Sequence, residues 1–123
     1  TSPDNVIKHV RRLKLGVGLA INPETPISSV EGLLDKIDFI LFLSVYPGFY
    51  GKEFLPEVLD KVKEFRAKGF KMEVGMDGGI KADNIKMIKE AGVDYACVGS
   101  GVFNHVAPQD AYNNLLKLVK NDE

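Results

Sequence analysis

The sequence predicts an α/β fold in which parallel strands alternate with helices. Short apolar runs alternate along the chain with segments whose apolar residues recur at helical spacing. The runs are apolar along nearly their whole length, as in DFILFLSV (38–45), which is typical of a sheet covered on both faces. No long linker and no low-complexity segment interrupts the alternation. Such an order favours a parallel sheet with right-handed crossovers.

The elements follow in order from local signals. Pro3 suits the first turn of a helix over residues 3–14, which precedes four strand–helix units. Ser28 or Ser29 can cap the first helix of these units, and Gly69 and Gly92 end the next two. The predicted strands cover residues 15–21, 38–45, 71–76 and 94–98, and the helices after them cover residues 30–37, 55–68, 82–91 and 109–120.

Composition restricts the class of protein. The chain has 123 residues, of which 45% are apolar and 27% charged, so we expect one globular domain with a core. A net charge of −1 gives no reason to expect nucleic acid or an anionic membrane as a partner, and no apolar run is long enough to span a bilayer. The single cysteine, Cys97, is expected to be a small core residue and fits a reducing cytoplasm.

Two architectures fit this order. One is an open, doubly wound sheet, and the other is part of a (β/α)8 barrel, which normally needs about 250 residues and therefore about twice this chain. In both, ligands bind where strands end and helices begin.

Two glycine-rich turns, DGGIK (77–81) and GSGVF (99–103), stand at such positions. Glycine lets backbone N–H groups approach an anion, and a helix start favours negative charge. If the four strands are strands five to eight of a barrel, these turns fall where a phosphate commonly binds. Asp77, at the end of its strand, can transfer a proton, bind a metal or simply cap the next helix. The connection YPGFYGKEF (46–54) is too aromatic for a plain loop and is expected to pack or bind something.

Four stretches together resemble the C-terminal half of the ribulose-phosphate 3-epimerase family. They are INPETP (21–26), LSVYPGFYGKEF (43–54), MDGGIKADNI (76–85) and AGVDYACVGSGVF (91–103). The resemblance implies a (β/α)8 TIM barrel, of which residues 1–123 would form one half-barrel segment with strands five to eight preceded by one helix. It also implies a pentose-phosphate-pathway isomerase that converts D-ribulose 5-phosphate to D-xylulose 5-phosphate through an enediolate, assisted by zinc, iron or manganese.

The resemblance assigns roles to individual residues. Asp77 matches the family's metal-binding and proton-donating aspartate. The remaining matches are the phosphate-binding residues Gly78, Gly79, Gly99 and Ser100, and the residues of a loop that closes over the phosphate, Gly48, Phe49, Tyr50 and Gly51. Tyr46, Tyr50 and Lys52 depart from the residues usual at their positions.

The resemblance also implies partners for this half of the site. The family's second proton-transferring aspartate and two metal-binding histidines come from strands two and three, and neither His9 nor His105 matches them. The chain alone is therefore expected to lack activity and to act with the missing N-terminal half or as a homo-oligomer. The alternatives are a non-catalytic phosphate-binding or assembly half-barrel, or another phosphate-binding barrel enzyme such as a keto-gulonate-phosphate decarboxylase, which PGF-x-G disfavours.

Overall fold

A computed structural model of the chain describes residues 2–48 and 53–120. Helices and strands alternate in it, and two short 3-10 helices replace one of the predicted α-helices. The elements are α1 (Pro3–Arg12), β1 (Gly18–Ile21), the 3-10 helices Ile27–Ser29 and Glu31–Lys36, β2 (Phe39–Leu43), α2 (Glu57–Ala67), β3 (Glu73–Asp77), α3 (Ile85–Ala91), β4 (Tyr95–Cys97), α4 (Ser100–Phe103) and α5 (Pro108–Lys120).

The described part of the chain forms one parallel four-stranded sheet in the order β1-β2-β3-β4, which confirms the predicted α/β class with a parallel sheet. Each strand lies beside the next one in sequence, so the order has no reversal point of the kind found in doubly wound sheets. Right-handed crossovers that all advance in the same direction place the intervening helices on the same face of the sheet.

Alternate strand residues make the core on the helix-covered face. Ile40 and Phe42 of β2 and Val74 and Met76 of β3 are completely buried there. The Phe42 ring meets the ring of Phe65, on α2, edge-to-face with centroids 5.8 Å apart. Such packing fixes the helix against the middle of the sheet.

The opposite face of the sheet is partly open and carries both apolar residues and two exposed carboxylates of β3, those of Glu73 and Asp77. It carries Ala20, Phe39, Leu41 and Leu43, of which Ala20 and Phe39 are exposed and the two leucines half-buried. The expectation of a sheet covered on both faces is therefore wrong for this face in the residues described. We call it the open face below.

An arginine–aspartate pair ties the amino-terminal ends of β1 and β2 together. Arg11, near the end of α1, donates hydrogen bonds to both carboxylate oxygens of Asp38 at 2.8 and 3.1 Å. Asp38 lies just before β2 and also accepts a 2.8 Å bond from the Val17 N–H, just before β1. The Arg11 guanidinium, followed by the Val17 N–H, holds the pKa of the Asp38 carboxyl below its ordinary value.

The same device recurs at β3 and β4. Arg66 of α2 donates to Asp94 at 2.6 Å, and Asp94 accepts a 2.8 Å bond from the Val74 N–H. The sequence repeats as well, because KLGVGL (14–19) and KMEVGM (71–76) share Lys, Val and Gly at the same places. The strand pairs β1–β2 and β3–β4 therefore share one local arrangement, and we call them the first and second unit.

A glycine beneath an aromatic ring recurs in both units on the open face. A Cβ on Gly18 would overlap the Phe39 ring, and a Cβ on Gly75 would overlap the Tyr95 ring. Each glycine is directly opposite its aromatic residue in the sheet register. The missing side chain therefore lets a large ring lie flat over the neighbouring strand.

Three local predictions are corrected. The helix expected over residues 30–37 forms as 3-10 turns, and its expected serine cap is absent because the Ser29 Oγ donates instead to the Pro26 carbonyl at 2.8 Å. The helix expected from residue 82 begins at Ile85, because Asn84 holds the preceding turn. Cys97 is exposed on the open face and is not a core residue.

Candidate functional site

Asp77 is the last residue of β3 and lies at the carboxyl edge of the sheet, opposite Leu43 of β2 and Cys97 of β4. Its side chain is exposed, and no hydrogen bond or ion pair to its carboxylate occurs within residues 2–48 and 53–120. Capping is not its role, because α3 begins only at Ile85. The carboxylate is therefore free to meet a ligand from the open face.

The Asp77 carboxylate affects the pKa of the Cys97 thiol on the neighbouring strand. Burial raises the pKa of the Cys97 thiol above its ordinary value, and the negative charge of Asp77 raises it further. Both effects disfavour the thiolate, which is the form in which a cysteine acts as a nucleophile.

The Gly78–Gly79 turn is held by the end of β2 and by the chain that returns to α2. Both glycines have positive φ, +132° at Gly78 and +68° at Gly79. A Cβ on Gly78 would lie 2.7 Å from Val45 Cγ2, and one on Gly79 would lie 2.8 Å from the Phe54 nitrogen. Any side chain here would displace the loop, so both backbone conformation and close packing require glycine.

Two buried polar residues fix this turn, and sequence reasoning missed both. The completely buried Ser44 donates from Oγ to the Gly78 carbonyl at 2.6 Å. Asn84 accepts from the Lys81 N–H and donates to the Gly79 carbonyl, both at 2.9 Å. A serine ending the apolar run FILFLS is the signal that could have indicated the first of these contacts.

The second glycine turn packs on the first. Gly99 precedes Ser100, which opens α4, and the first N–H groups of a helix have no partner within the helix. A Cβ on Gly101 would lie 2.8 Å from the carbonyl oxygen of Ile80, two residues beyond Gly78. The structure therefore brings both predicted phosphate turns together beside Asp77. The expectation that DGGIK opens directly into a helix is wrong.

The loops after β1 and β2 complete this edge. Lys61 of α2 donates from Nζ to three carbonyls of the INPETP loop, those of Asn22 at 3.1 Å, Pro23 at 2.6 Å and Thr25 at 2.7 Å. Burial lowers the pKa of the Lys61 ammonium below its ordinary value. Lys61 thereby anchors this loop to the second unit.

A cavity of about 350 Å³ lies between the anchored loop and Tyr46–Pro47. Gly48, with φ of +93°, follows them. The other residues assigned to the closing loop, Phe49, Tyr50 and Gly51, and the neighbouring Lys52 lie outside the described residues.

A divalent cation does not find a complete ligand set in the described ranges. No group of three or more His, Cys, Asp or Glu side chains there could hold a metal ion. The Asp77 carboxylate is suited to supply one oxygen ligand, but one carboxylate does not hold a catalytic metal.

No helix within residues 2–48 and 53–120 has the length and apolar character needed to cross a membrane.

Comparison with solved structures identifies the fold. The chain superposes on a 3-hexulose-6-phosphate synthase with a TM-score of 0.68 and 17% identity, over 93% of this chain and 54% of that one. It superposes on a chain of the Amycolatopsis orientalis BexX/CysO complex with a TM-score of 0.74 and 13% identity, over 95% of this chain and 46% of that one. At these identities the likeness shows the fold alone.

Comparison with known sequences is more specific. The chain is 40% identical to ribulose-phosphate 3-epimerase 2 of Cupriavidus necator, over 92% of this chain and 50% of that enzyme. It is 39% identical to the ribulose-phosphate 3-epimerase of Escherichia coli K12, over 82% of this chain and 47% of that enzyme. The chain thus spans about half the length of these relatives. The family model for the "Ribulose-phosphate 3 epimerase family" matches residues 1–103, and the chain therefore belongs to that family.

Proposed function

We propose that this chain supplies the phosphate-binding side and one proton-transferring carboxylate of a ketose-phosphate 3-epimerase of the D-ribulose 5-phosphate type. The observation that carries the proposal is the convergence of Asp77 with two glycine turns at one edge of the sheet, in a member of an epimerase family. A phosphate on the turns would place the sugar carbons over the open face, toward Asp77.

The sheet register supports a place for these strands in a (β/α)8 barrel. Phe39 of β2 is opposite Glu73 of β3, whereas Tyr95 of β4 is opposite Gly75, two residues further along β3. Phe39 and Tyr95 occupy equivalent places in the two units. From β2 to β4, two strands apart, this place therefore shifts by two residues along the strand direction. One residue per strand gives a shear of about 8 for eight strands, which is the value of the (β/α)8 barrel.

The open face has the layering expected of such an interior. In a (β/α)8 barrel, each interior layer takes its four side chains from alternate strands. Phe39 and Tyr95 come from alternate strands and belong to one such layer, in which they would fill two of four places. This supports the assignment of the four strands to one half of a (β/α)8 barrel.

Each residue has a definite task in this proposal. Asp77 exchanges a proton with the substrate carbon, since a strand-end carboxylate beside the phosphate turns can reach it. The N–H groups of the turns at Gly78–Gly79 and Gly99–Ser100 bind the phosphate oxygens. Gly48, Phe49, Tyr50 and Gly51 close over the phosphate. The flanks of that loop are joined by a 2.8 Å hydrogen bond from the Leu55 N–H to the Ser44 carbonyl.

A divalent cation, zinc, iron or manganese, would be held by Asp77 together with ligands from outside this chain, and would stabilise negative charge on the substrate oxygens. Inversion at a carbon also needs a second acid on its other face. The proposal assigns this second acid to a second half outside this chain, as the family resemblance implies. The alternative is a non-catalytic, phosphate-binding half without that partner. It also predicts that phosphate binds at the two glycine turns.

Titration of inorganic phosphate into isotopically labelled chain tests the phosphate site. The amide signals of Gly79, Gly99 and Ser100 should move together. Gly99→Glu should abolish the shifts by adding a negative charge, whereas Gly32→Glu should not. The two variants are matched, because a Cβ meets nothing within 4 Å at either glycine and neither has positive φ. No movement at the three amides, or equal loss in both variants, would overturn the assignment.

A further inference from the structure

We infer that two buried polar side chains beneath the first glycine turn aim its N–H groups at the phosphate. Ser44 and Asn84 each hold one carbonyl of the turn in the interior. The N–H groups of Gly79 and Ile80, at the other side of the same peptides, then face the ligand. This rests on the proposed function, because it concerns what orients the donors of that phosphate site, and it adds Ile80 to those donors.

Ser44 and Asn84 are set apart by their burial. Within residues 2–48 and 53–120 they are the only buried polar residues, with exposed fractions of 0% and 8%. Burying a polar group costs free energy unless the group is hydrogen-bonded. Ser44 Oγ donates to the Gly78 carbonyl at 2.6 Å, and Asn84 Nδ2 donates to the Gly79 carbonyl at 2.9 Å. Both side chains therefore bind carbonyls of consecutive glycines in one turn.

The direction of each carbonyl sets the direction of the next N–H group. None of the described peptides is cis, and in a planar trans peptide the C=O and the following N–H point in opposite directions. The Gly78 carbonyl points at the buried Ser44 hydroxyl, so the Gly79 N–H points away from the interior. The Gly79 carbonyl points at the buried Asn84 amide, so the Ile80 N–H also points away from it.

These two N–H groups are the donors that the turn offers to a ligand. No hydrogen bond from the N–H of Gly79 or of Ile80 occurs within the described ranges. The Lys81 N–H, by contrast, donates to Asn84 Oδ1 at 2.9 Å. The φ of +68° at Gly79 lies in the left-handed region that occurs in anion-binding concavities of successive N–H groups. The turn thus presents two adjacent donors and keeps the third in the interior.

Ordinary structural roles do not account for the two side chains. Asn84 stands at the N-cap position of α3, yet its side chain makes no capping bond to that helix. Ser44 joins β2 to β3 through its backbone N–H, which donates to the Asp77 carbonyl at 2.9 Å without the hydroxyl. A carbonyl oxygen turned toward a phosphate would repel it. Holding both carbonyls inside prepares the turn for an anion before the anion arrives.

Amide hydrogen exchange of the isotopically labelled chain, followed by NMR, tests the unmodified protein first. Inorganic phosphate at about ten times its Kd should slow exchange at Gly79 and Ile80 about tenfold. The Lys81 amide, already bound to Asn84, should not respond. No response at Gly79 and Ile80 would overturn the inference. If Gly99 and Ser100 still respond, the proposed phosphate site survives, and if no amide responds, both fail together.

Two variants separate positioning from a general loss of structure. Ser44→Ala should remove the phosphate response of Gly79 and leave that of Ile80, whereas Asn84→Ala should remove the response of Ile80 and leave that of Gly79. Each variant should bind phosphate about 10–100-fold more weakly, because one hydrogen bond to a charged group is lost. The proteins are therefore compared at phosphate concentrations that give equal shifts at Gly99.

The control for these variants is Asn113→Ala, at an exposed position on α5, which should leave both responses unchanged. Equal loss of both responses in Ser44→Ala and in Asn84→Ala, or no loss in either variant, would overturn the inference. If neither variant folds, the responses of Gly79, Ile80 and Lys81 in the unmodified chain decide it.

Discussion

The hydroxyl of Ser44 donates a 2.6 Å hydrogen bond to the carbonyl oxygen of Gly78, and this bond joins the ends of two neighbouring strands at the candidate site. The Ser44 N–H also donates to the Asp77 carbonyl at 2.9 Å. A residue with no sugar or phosphate chemistry of its own thus sets the position of the carboxylate and of the first glycine turn. The site depends on this buried polar contact as much as on the residues that would meet substrate.

Ser44→Ala should weaken both the fold and the turn. Removing the hydroxyl leaves the half-buried Gly78 carbonyl without its partner, which costs about 1–3 kcal/mol. Urea unfolding of the two proteins measures the loss in the free energy of unfolding. Ser28→Ala, at an exposed position, is the control and should change it by less than about 0.5 kcal/mol. Equal stability of Ser44→Ala and Ser28→Ala would contradict the role given to the hydroxyl.

Lys61→Met should release the INPETP loop from α2. The substitution removes a charged donor shared by three carbonyls, and a loss of about 1–3 kcal/mol is expected. Hydrogen exchange of residues 22–25 should become faster than in the unchanged chain. Lys63→Met, on the exposed side of the same helix, provides the comparison. Unchanged exchange in the Lys61 variant would show that the loop is held by other contacts.

Asp77→Asn should make Cys97 more reactive at a given pH. The Asp77 charge raises the pKa of the thiol, so its removal lowers that pKa and increases the thiolate fraction in alkaline solution. The rate of alkylation by iodoacetamide is measured from pH 7 to 10. The increase of this rate with pH should begin at a lower pH in the variant than in the unchanged chain. Asp83→Asn, which does not contribute to that pKa, should leave the profile in place. If Asp77→Asn left the pH profile unchanged, the Asp77 charge would have no effect on the pKa of the Cys97 thiol.

The features that follow from the spacing of apolar residues, namely most strands and helices and the parallel sheet, were predicted from the sequence. The alternation of apolar runs and helical spacing gave the parallel sheet, because side chains on one face of each element must be buried. The positions of Asp77 and the glycine turns followed from the rule that strands in α/β folds present their carboxyl ends to ligands. These features depend on local pattern alone.

Other features depend on contacts between distant residues and could not be predicted in this way. Ser44 and Gly78 are 34 positions apart, and nothing local shows that the hydroxyl points at that carbonyl. Val30 to Ile37 has helical spacing, yet the short connection folds as 3-10 turns. Cys97 lies in an apolar run typical of a core strand, but its side chain is exposed on the open face of the sheet. Tertiary placement determined each outcome.

The most direct test of the central claim is the epimerase activity of a joined protein. The amino-terminal half of the Cupriavidus necator relative, fused to this chain, would supply the ligands and the second acid that the proposal assigns to the other half. We predict that the fusion converts D-ribulose 5-phosphate to D-xylulose 5-phosphate, that Asp77→Asn lowers kcat by about 10²–10⁴-fold, and that Asp83→Asn leaves it unchanged. A folded fusion without activity, or an Asp77→Asn fusion as active as its parent, would contradict the proposal.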